Sequence, residues 1–171
     1  AQNQSPPDVD PASPTGYADG LRRVISPRGV DGCHWIMQAQ RMAHDGLWRV
    51  RTMPTDNFPQ GREMNWSHLL LWCLVGVGKT VALLTGRPVG AAIEDSAQWV
   101  PALLHALAIL AVPLAIRRAF GWLAAGLLAV AMSAVYTFAS LFFVGAPDHH
   151  GLAATAVLGM ALGLAAGGGG W

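Results

Sequence analysis

"QWVPALLHALAILAVPLAIRRAFGWLAAGLLAVAMSAVYTFASLFFV", residues 98 to 144, contains Arg117 and Arg118 as its only charged residues. A bilayer crossing takes about 20 apolar residues, so this stretch reads as two crossings, 98–116 and 119–144, joined by a tight turn at the arginines. A third apolar run, 151–168, follows "GAPDHHGLAAT", residues 145 to 155. From Ser96 onward the only charged residue besides the two arginines is Asp148. The chain of 171 residues is 53% hydrophobic and 12% charged, against roughly 25% charged in a soluble domain. The fold class expected is all-α, a polytopic membrane protein.

The first half of the chain is different. Residues 1–30 hold four prolines before Gly16 and few apolar positions, which reads as an extended or poorly ordered segment. Residues 31–97 then form a second region, an external loop with amphipathic and interfacial helices, ahead of the spanning region 98–171. Trp35, Ile36, Met42 and Leu47 lie about one helical face, with Gln38, Gln40, Arg41 and His44 between them, so a helix is expected over 31–46 with Gly46 as its stop. "TMPTDNFPQGREMNWS", residues 52 to 67, reads as a loop in which Pro54 and Pro59 prevent regular structure. Seven arginines balance seven acids in the first 66 residues, leaving no basic field for nucleic acid. Cys33 and Cys73 are too few and too isolated for a disulfide framework.

Residues 68–86, "HLLLWCLVGVGKTVALLTG", contain GVGKT. A phosphate loop needs glycine five residues before the second glycine; Cys73 stands there, and no strand-like run precedes it, which argues against nucleotide binding. Lys79 near the centre would cost about 2.5–3.5 kcal/mol in a span. A helix lying on the membrane surface is therefore preferred to a crossing. Arginines mark the cytoplasmic side, so the turn at 117–118 faces inward, and 86–97 and 147–150 face outward. With 68–86 on the surface, two crossings separate Asp31 from Asp148 and both face the same compartment.

Asp148, His149 and His150 have two readings. Asp148 suits an N-cap for the helix starting near Gly151. Alternatively, Asp148 and His150, as alternate residues of an extended loop, point to one side and ligate an ion while His149 diverges; carboxylate with imidazole suits Mn²⁺, Zn²⁺ or Fe²⁺, and an all-oxygen set suits Mg²⁺. Asp31 likewise stands where an N-cap belongs. His34, His44 and His68 read as surface or hydrogen-bonded histidines, and His105 as turned toward a neighbouring helix. "NWS", Asn65 to Ser67, fits a glycosylation acceptor.

Taken in order, "DGCHWIMQAQRMAHDGLWRVR", "PQGREMNWS", an apolar surface run, two crossings joined by "RR" and then "GAPDHHGLA" resemble the amino-terminal part of membrane glycosyltransferases of the C type, in particular the catalytic subunit of oligosaccharyltransferase and its bacterial and archaeal relatives. Asp31, Trp35, Trp48 and Pro59 to Arg62 match the family's first external loop. Asp148 matches the first acid of its Gly-x-x-Asp-x-Glu motif, and His150 stands where the second acid would be.

The resemblance implies sugar transfer from a polyprenyl-phosphate-linked donor at the external face of a bacterial inner membrane. It implies a divalent ion, manganese or magnesium with zinc as a further option, on Asp148, His150 and His149. It gives Asp31 a catalytic role at the acceptor, and Arg62, Glu63, Trp66 and His68 a substrate-binding one. Membrane lipid and other membrane subunits are the further partners implied. The family's first spanning helix would precede Asp31, and its remaining helices and soluble domain would follow residue 171, so the chain is expected to be a fragment. A different class, a non-catalytic helical subunit or anchor, explains the same segments with Asp148 as a helix cap.

Overall fold

The computed structural model describes residues 9–18, 30–54, 56–57 and 59–168. It is mainly helical, and its contacts divide it into two units: Ala1–Val100 with Gly145–Pro147, and Pro101–Val144 with Asp148–Trp171. Most of the segment read as poorly ordered, 1–8 and 19–29, lies outside the described residues. The remainder, 9–18, is a closed turn rather than an extended strand. Asp10 N–H donates to Gly16 C=O at 3.1 Å, Val9 bridges Tyr17, and Tyr17 is buried.

In the first unit, helix α1 runs Val30–His44. Gly46 adopts φ 63° beyond its end, and Leu47 N–H reaches back to Met42 C=O at 3.0 Å. This left-handed turn returns the chain to an orphan carbonyl, as a glycine stop does. Trp35, Ile36 and Met42 are buried as periodicity predicts, whereas Leu47, beyond the glycine stop, is exposed; Ala39, Gln38 and Gln40 are buried as well. Gln40 answers the desolvation cost by donating from Nε2 to Gly90 C=O at 2.9 Å. The buried face is wider than the apolar pattern: Gln40 finds a partner on α3, whereas Gln38 Nε2 is buried without a hydrogen bond among the described residues.

The 52–67 loop is closed by regular structure at its ends, contrary to expectation. Strand β1 (Thr52–Met53) pairs antiparallel with β2 (Arg62–Glu63). The prolines lie inside the connection, where no ladder amide is needed. Arg41 donates to Thr52 C=O at 2.7 Å and ties this ribbon to α1.

Helix α2 (Leu69–Thr85) ends at Gly86, whose φ of 71° begins a sharp bend into α3 (Val89–Ala97). The two axes differ by 118°. Leu70, Leu71, Leu74, Gly78 and Ala82 form the buried face of α2, and Lys79 lies on its exposed face. GVGKT is therefore mid-helix. Gly78 lets α2 approach α3 so closely that a Cβ there would meet the Ile93 side chain and its Cα. The fragment serves helix crossing, and its glycines do not turn a loop around phosphate. Gly90 plays the matching part on the other side of α3, where a Cβ would meet Pro14 and Thr15 of the 9–18 turn.

Helix α4 (Val100–Ala134), which belongs to the second unit from Pro101 onward, contains one non-helical residue, Gly121, at φ 83° and ψ 169°. A straight helix would separate residues 105 and 132 by about 40 Å at 1.5 Å per residue. Instead His105 Nε2 lies 3.0 Å from Met132 C=O. The chain therefore reverses at Gly121, and α4 is two arms, 100–120 and 122–134. The expected turn exists, but its vertex is the glycine. Arg117 and Arg118 end the first arm, and the Arg117 guanidinium lies 4.8 Å from the Trp122 ring centroid across the turn.

The run 119–144 is not one helix. The second arm stops at Ala134, Val135 is extended, and a short helix α5 (Tyr136–Ala139) and a 3₁₀ turn (Ser140–Phe142) follow. A thirteen-residue arm reaches only about 20 Å, short of a hydrocarbon core of about 30 Å. Helix α6 occupies His150–Gly168. Among the described residues two stretches are long and apolar enough to cross a membrane, Val100–Ala134, which contains the reversal at Gly121, and α6, or three if the bent α2–α3 pair counts as one span.

Candidate metal centre

The polar group sits at the entry to α6. Ala153 N–H donates to His149 C=O at 3.0 Å, the first bond of the helix, which makes His149 the N-cap residue. Asp148 is one residue too early to be the cap that its type suggests. Its Oδ1 accepts from the His149 amide at 2.6 Å and from His149 Nδ1 at 2.9 Å, and its Oδ2 faces His150 Nδ1 at 2.6 Å. The carboxylate thus serves two imidazoles. Consecutive side chains were expected to diverge, with at most two reaching one point. All three converge, because the chain turns from loop to helix between Asp148 and His150 and swings His149 back.

The two imidazole centroids are 4.5 Å apart, and one ligand atom from each of the three residues lies within 4.8 Å of the others. Ligands held at 2.0–2.6 Å from one ion can be separated by roughly 4–5 Å, so the set fits a single divalent ion with small adjustment. Two nitrogens and a carboxylate favour Mn²⁺, Zn²⁺ or Fe²⁺ over Mg²⁺. Asp148 is half-buried, which pushes its carboxyl upward. The His150 and His149 hydrogen bonds, with the charge of both rings, outweigh this and hold it below the usual carboxylate range. The group is therefore kept anionic, as a ligand must be.

The other residues singled out from sequence lie in the first unit. Asp31 is exposed in the first turn of α1, where a carboxylate faces the helix's free amides. Helix α1 begins at Val30, so Asp31 lies within that first turn and does not precede it. Arg62 and Glu63 are exposed on β2. The Arg62 guanidinium is 5.9 Å from the Trp66 ring, and Trp66 packs on Trp35 at 5.1 Å and edge-on to His34 at 5.2 Å. Arg62 and Trp66 thus share one patch. His68 is engaged elsewhere, its Nε2 donating to Val50 C=O at 3.0 Å at the start of α2.

Sequence reading missed one pairing here. His34 Nε2 lies 3.2 Å from Asp56 Oδ2, an ion-pair distance without the alignment of a hydrogen bond. A helix residue and a loop residue twenty-two positions apart carry no shared periodicity that would reveal it. The remaining histidines are hydrogen-bonded: His44 bonds Asp45 at 2.8 Å and Ala12 C=O at 3.2 Å, and His105 is turned inward onto the second arm of α4.

Comparison with protein-family models, with curated proteins and with solved structures finds no match for this chain.

Proposed function

We propose that this is an integral membrane protein of the C-type glycosyltransferase kind, transferring sugar from a polyprenyl-phosphate-linked donor at the outer face of the membrane with the help of a divalent ion. The observation that carries the reading is the convergence of Asp148, His149 and His150 at the start of an apolar helix. The large apolar side chains left exposed on α4 and α6, among them Leu103, Leu107, Leu110, Leu123, Leu127 and Leu164, support residence in lipid.

Asp148, His149 and His150 would hold the ion, which when bound supplies Lewis-acid stabilisation of charge on a leaving phosphate. The Asp148 carboxylate aims both imidazoles through their Nδ1 atoms, so the donor set is assembled before any ligand arrives. Asp31 is exposed and able to orient an acceptor or accept its proton. Arg62 offers a planar fork suited to phosphate, and the Trp66 face beside it suits a sugar or the base of the guanidinium. Glu63, exposed next to Arg62, would take a sugar hydroxyl, whereas His68 supports the loop through Val50.

The test is transfer of a radiolabelled sugar from a polyprenyl-phosphate donor by membranes carrying the protein, with and without divalent ion, beside the Asp148→Ala variant. Ion-dependent transfer that Asp148→Ala loses is the expected result. Transfer unchanged by that substitution removes Asp148 from the site.

A non-catalytic helical subunit is the second reading. Gly159, Gly163 and Gly167 recur every four residues along α6, and nothing lies within 4 Å of a Cβ placed on any of them. Small residues at that spacing let membrane helices pack closely. Co-purification of one stoichiometric membrane partner, lost on Gly163→Leu and indifferent to Asp148→Ala, would favour it.

A further inference from the structure

The residue after the two histidines is Gly151, and its φ is not in the left-handed region, so backbone freedom does not explain a glycine there. Space does. A Cβ at Gly151 would lie 2.5–2.8 Å from three ring carbons of Phe142, closer than any side chain tolerates. Phe142 is buried, and its ring stacks on that of His105 at 4.8 Å with planes 6° apart. His105 is in turn fixed by donating from Nε2 to Met132 C=O at 3.0 Å. Met132 lies in the last turn of the second α4 arm, where carbonyls lack an intrahelical donor. A continuous stack therefore runs from that arm through His105 and Phe142 to the backbone immediately after His150.

We propose that Phe142, oriented by His105, is a positioning residue for the Asp148–His149–His150 group, and that residue 151 is glycine so that the ring can lie against the first turn of α6. This rests on the metal reading above. The side chains of His149 and His150 take their direction from the angle at which loop 143–149 enters α6. Phe142 sets that angle from one side, as partners behind metal ligands commonly do. The observation that gives the stack meaning is its inversion of ordinary propensity. Alanine is a better helix former than glycine by about 0.8–1.0 kcal/mol, so helix propensity alone expects Gly151→Ala to be neutral or stabilising, and the contact with Phe142 reverses that expectation.

The experiment is Co²⁺ titration of the full chain in detergent micelles, followed by the visible ligand-field bands and by hydrogen exchange at Ala153 N–H in the metal-free protein. Wild type is expected to bind, and Asp148→Ala to lose the bands. Gly151→Ala, which removes no ligand, is expected to weaken binding about tenfold to a hundredfold and to speed exchange at Ala153. Combining it with Phe142→Leu makes room for the new methyl and is expected to recover part of the affinity. His105→Ala is expected to weaken binding while leaving all three ligands in place.

Undiminished affinity in both Gly151→Ala and His105→Ala, with wild type binding, overturns the positioning role and leaves the metal reading standing. Wild-type chain that gives no bands overturns the metal reading itself. In that case exchange at Ala153 alone decides whether Phe142 braces the helix start. If Gly151→Ala does not fold, the Phe142→Leu and His105→Ala titrations carry the test, and both must weaken binding for the role to survive.

Discussion

His150 Nδ1 lies 2.6 Å from Oδ2 of Asp148, two residues back along the chain, while His149 Nδ1 takes the other oxygen at 2.9 Å. One carboxylate thus draws two imidazoles together, with a ligand atom of each residue within 4.8 Å of the others. Asp148→Asn keeps the shape and removes the charge. It is expected to abolish Co²⁺ or Zn²⁺ binding measured by calorimetry, and wild-type affinity is expected to fall as pH drops, because the ion competes with protons for the same nitrogens. Binding that survives in Asp148→Asn would show that the imidazoles act without it.

His44 gives the pH dependence with a defined sign. Both its ring nitrogens face acceptors, Asp45 Oδ1 and Ala12 C=O, so both bonds exist together only in the imidazolium. The Asp45 hydrogen bond first, then that to Ala12 and the charge of Asp45, outweigh a small burial effect and raise the ring above the ordinary value of 6.5. Arg41, 3.3 Å from Asp45, shares the same carboxylate. A raised folded value means the contribution is complete below 6.5 and is lost as pH rises through the folded value. Hydrogen exchange in residues 10–16 is expected to quicken across that alkaline window in wild type and to show no step in His44→Gln.

Gly78→Val places a branched side chain against Ile93, where even a Cβ has no room. Overpacking of this kind costs about 1–3 kcal/mol. Thermal unfolding in micelles is expected to shift down, and the paired substitution Ile93→Ala to recover part of the loss. An unchanged midpoint in Gly78→Val would mean that α2 and α3 do not cross at this glycine.

Gly121→Ala forces a side chain into φ 83° and ψ 169°, a region that glycine alone occupies readily. Strain of about 1–3 kcal/mol is expected to open the reversal in favour of a straighter helix. Spin labels at 103 and 130, each two residues N-terminal to a member of the His105–Met132 pair, are expected to be close in wild type and to gain a population approaching about 40 Å in the variant. A distance distribution that does not change would place the vertex elsewhere.

Much of the architecture was legible in local composition. Helix α1 and its glycine stop, and the start of α6, fall within two residues of where periodicity and hydropathy place them. The mid-helix setting of GVGKT agrees with the missing glycine at Cys73. Besides the β1–β2 pairing and the break after Ala134, three things in particular were not legible. The arginines drew attention to 117–118, yet the vertex is Gly121, because the turn needs a backbone conformation and charge only decorates it. Gln38 and Gln40 read as a solvent face, yet both are buried, and the partner that Gln40 meets, Gly90, comes from fifty residues away. Phe142 read as one more apolar residue in a span.

By itself the amino-acid sequence determined the helices at the start of the first region and at the end of the chain, the apolar character of the second half, and that the only acid after Asp95 stands beside two histidines. These follow from properties that add residue by residue: hydropathy, propensity and charge. Only the tertiary structure decided that the three side chains converge, that α4 folds back on itself and that an aromatic stack reaches Gly151. Each depends on one backbone dihedral or one close approach between residues distant in sequence, and such terms do not sum along a chain.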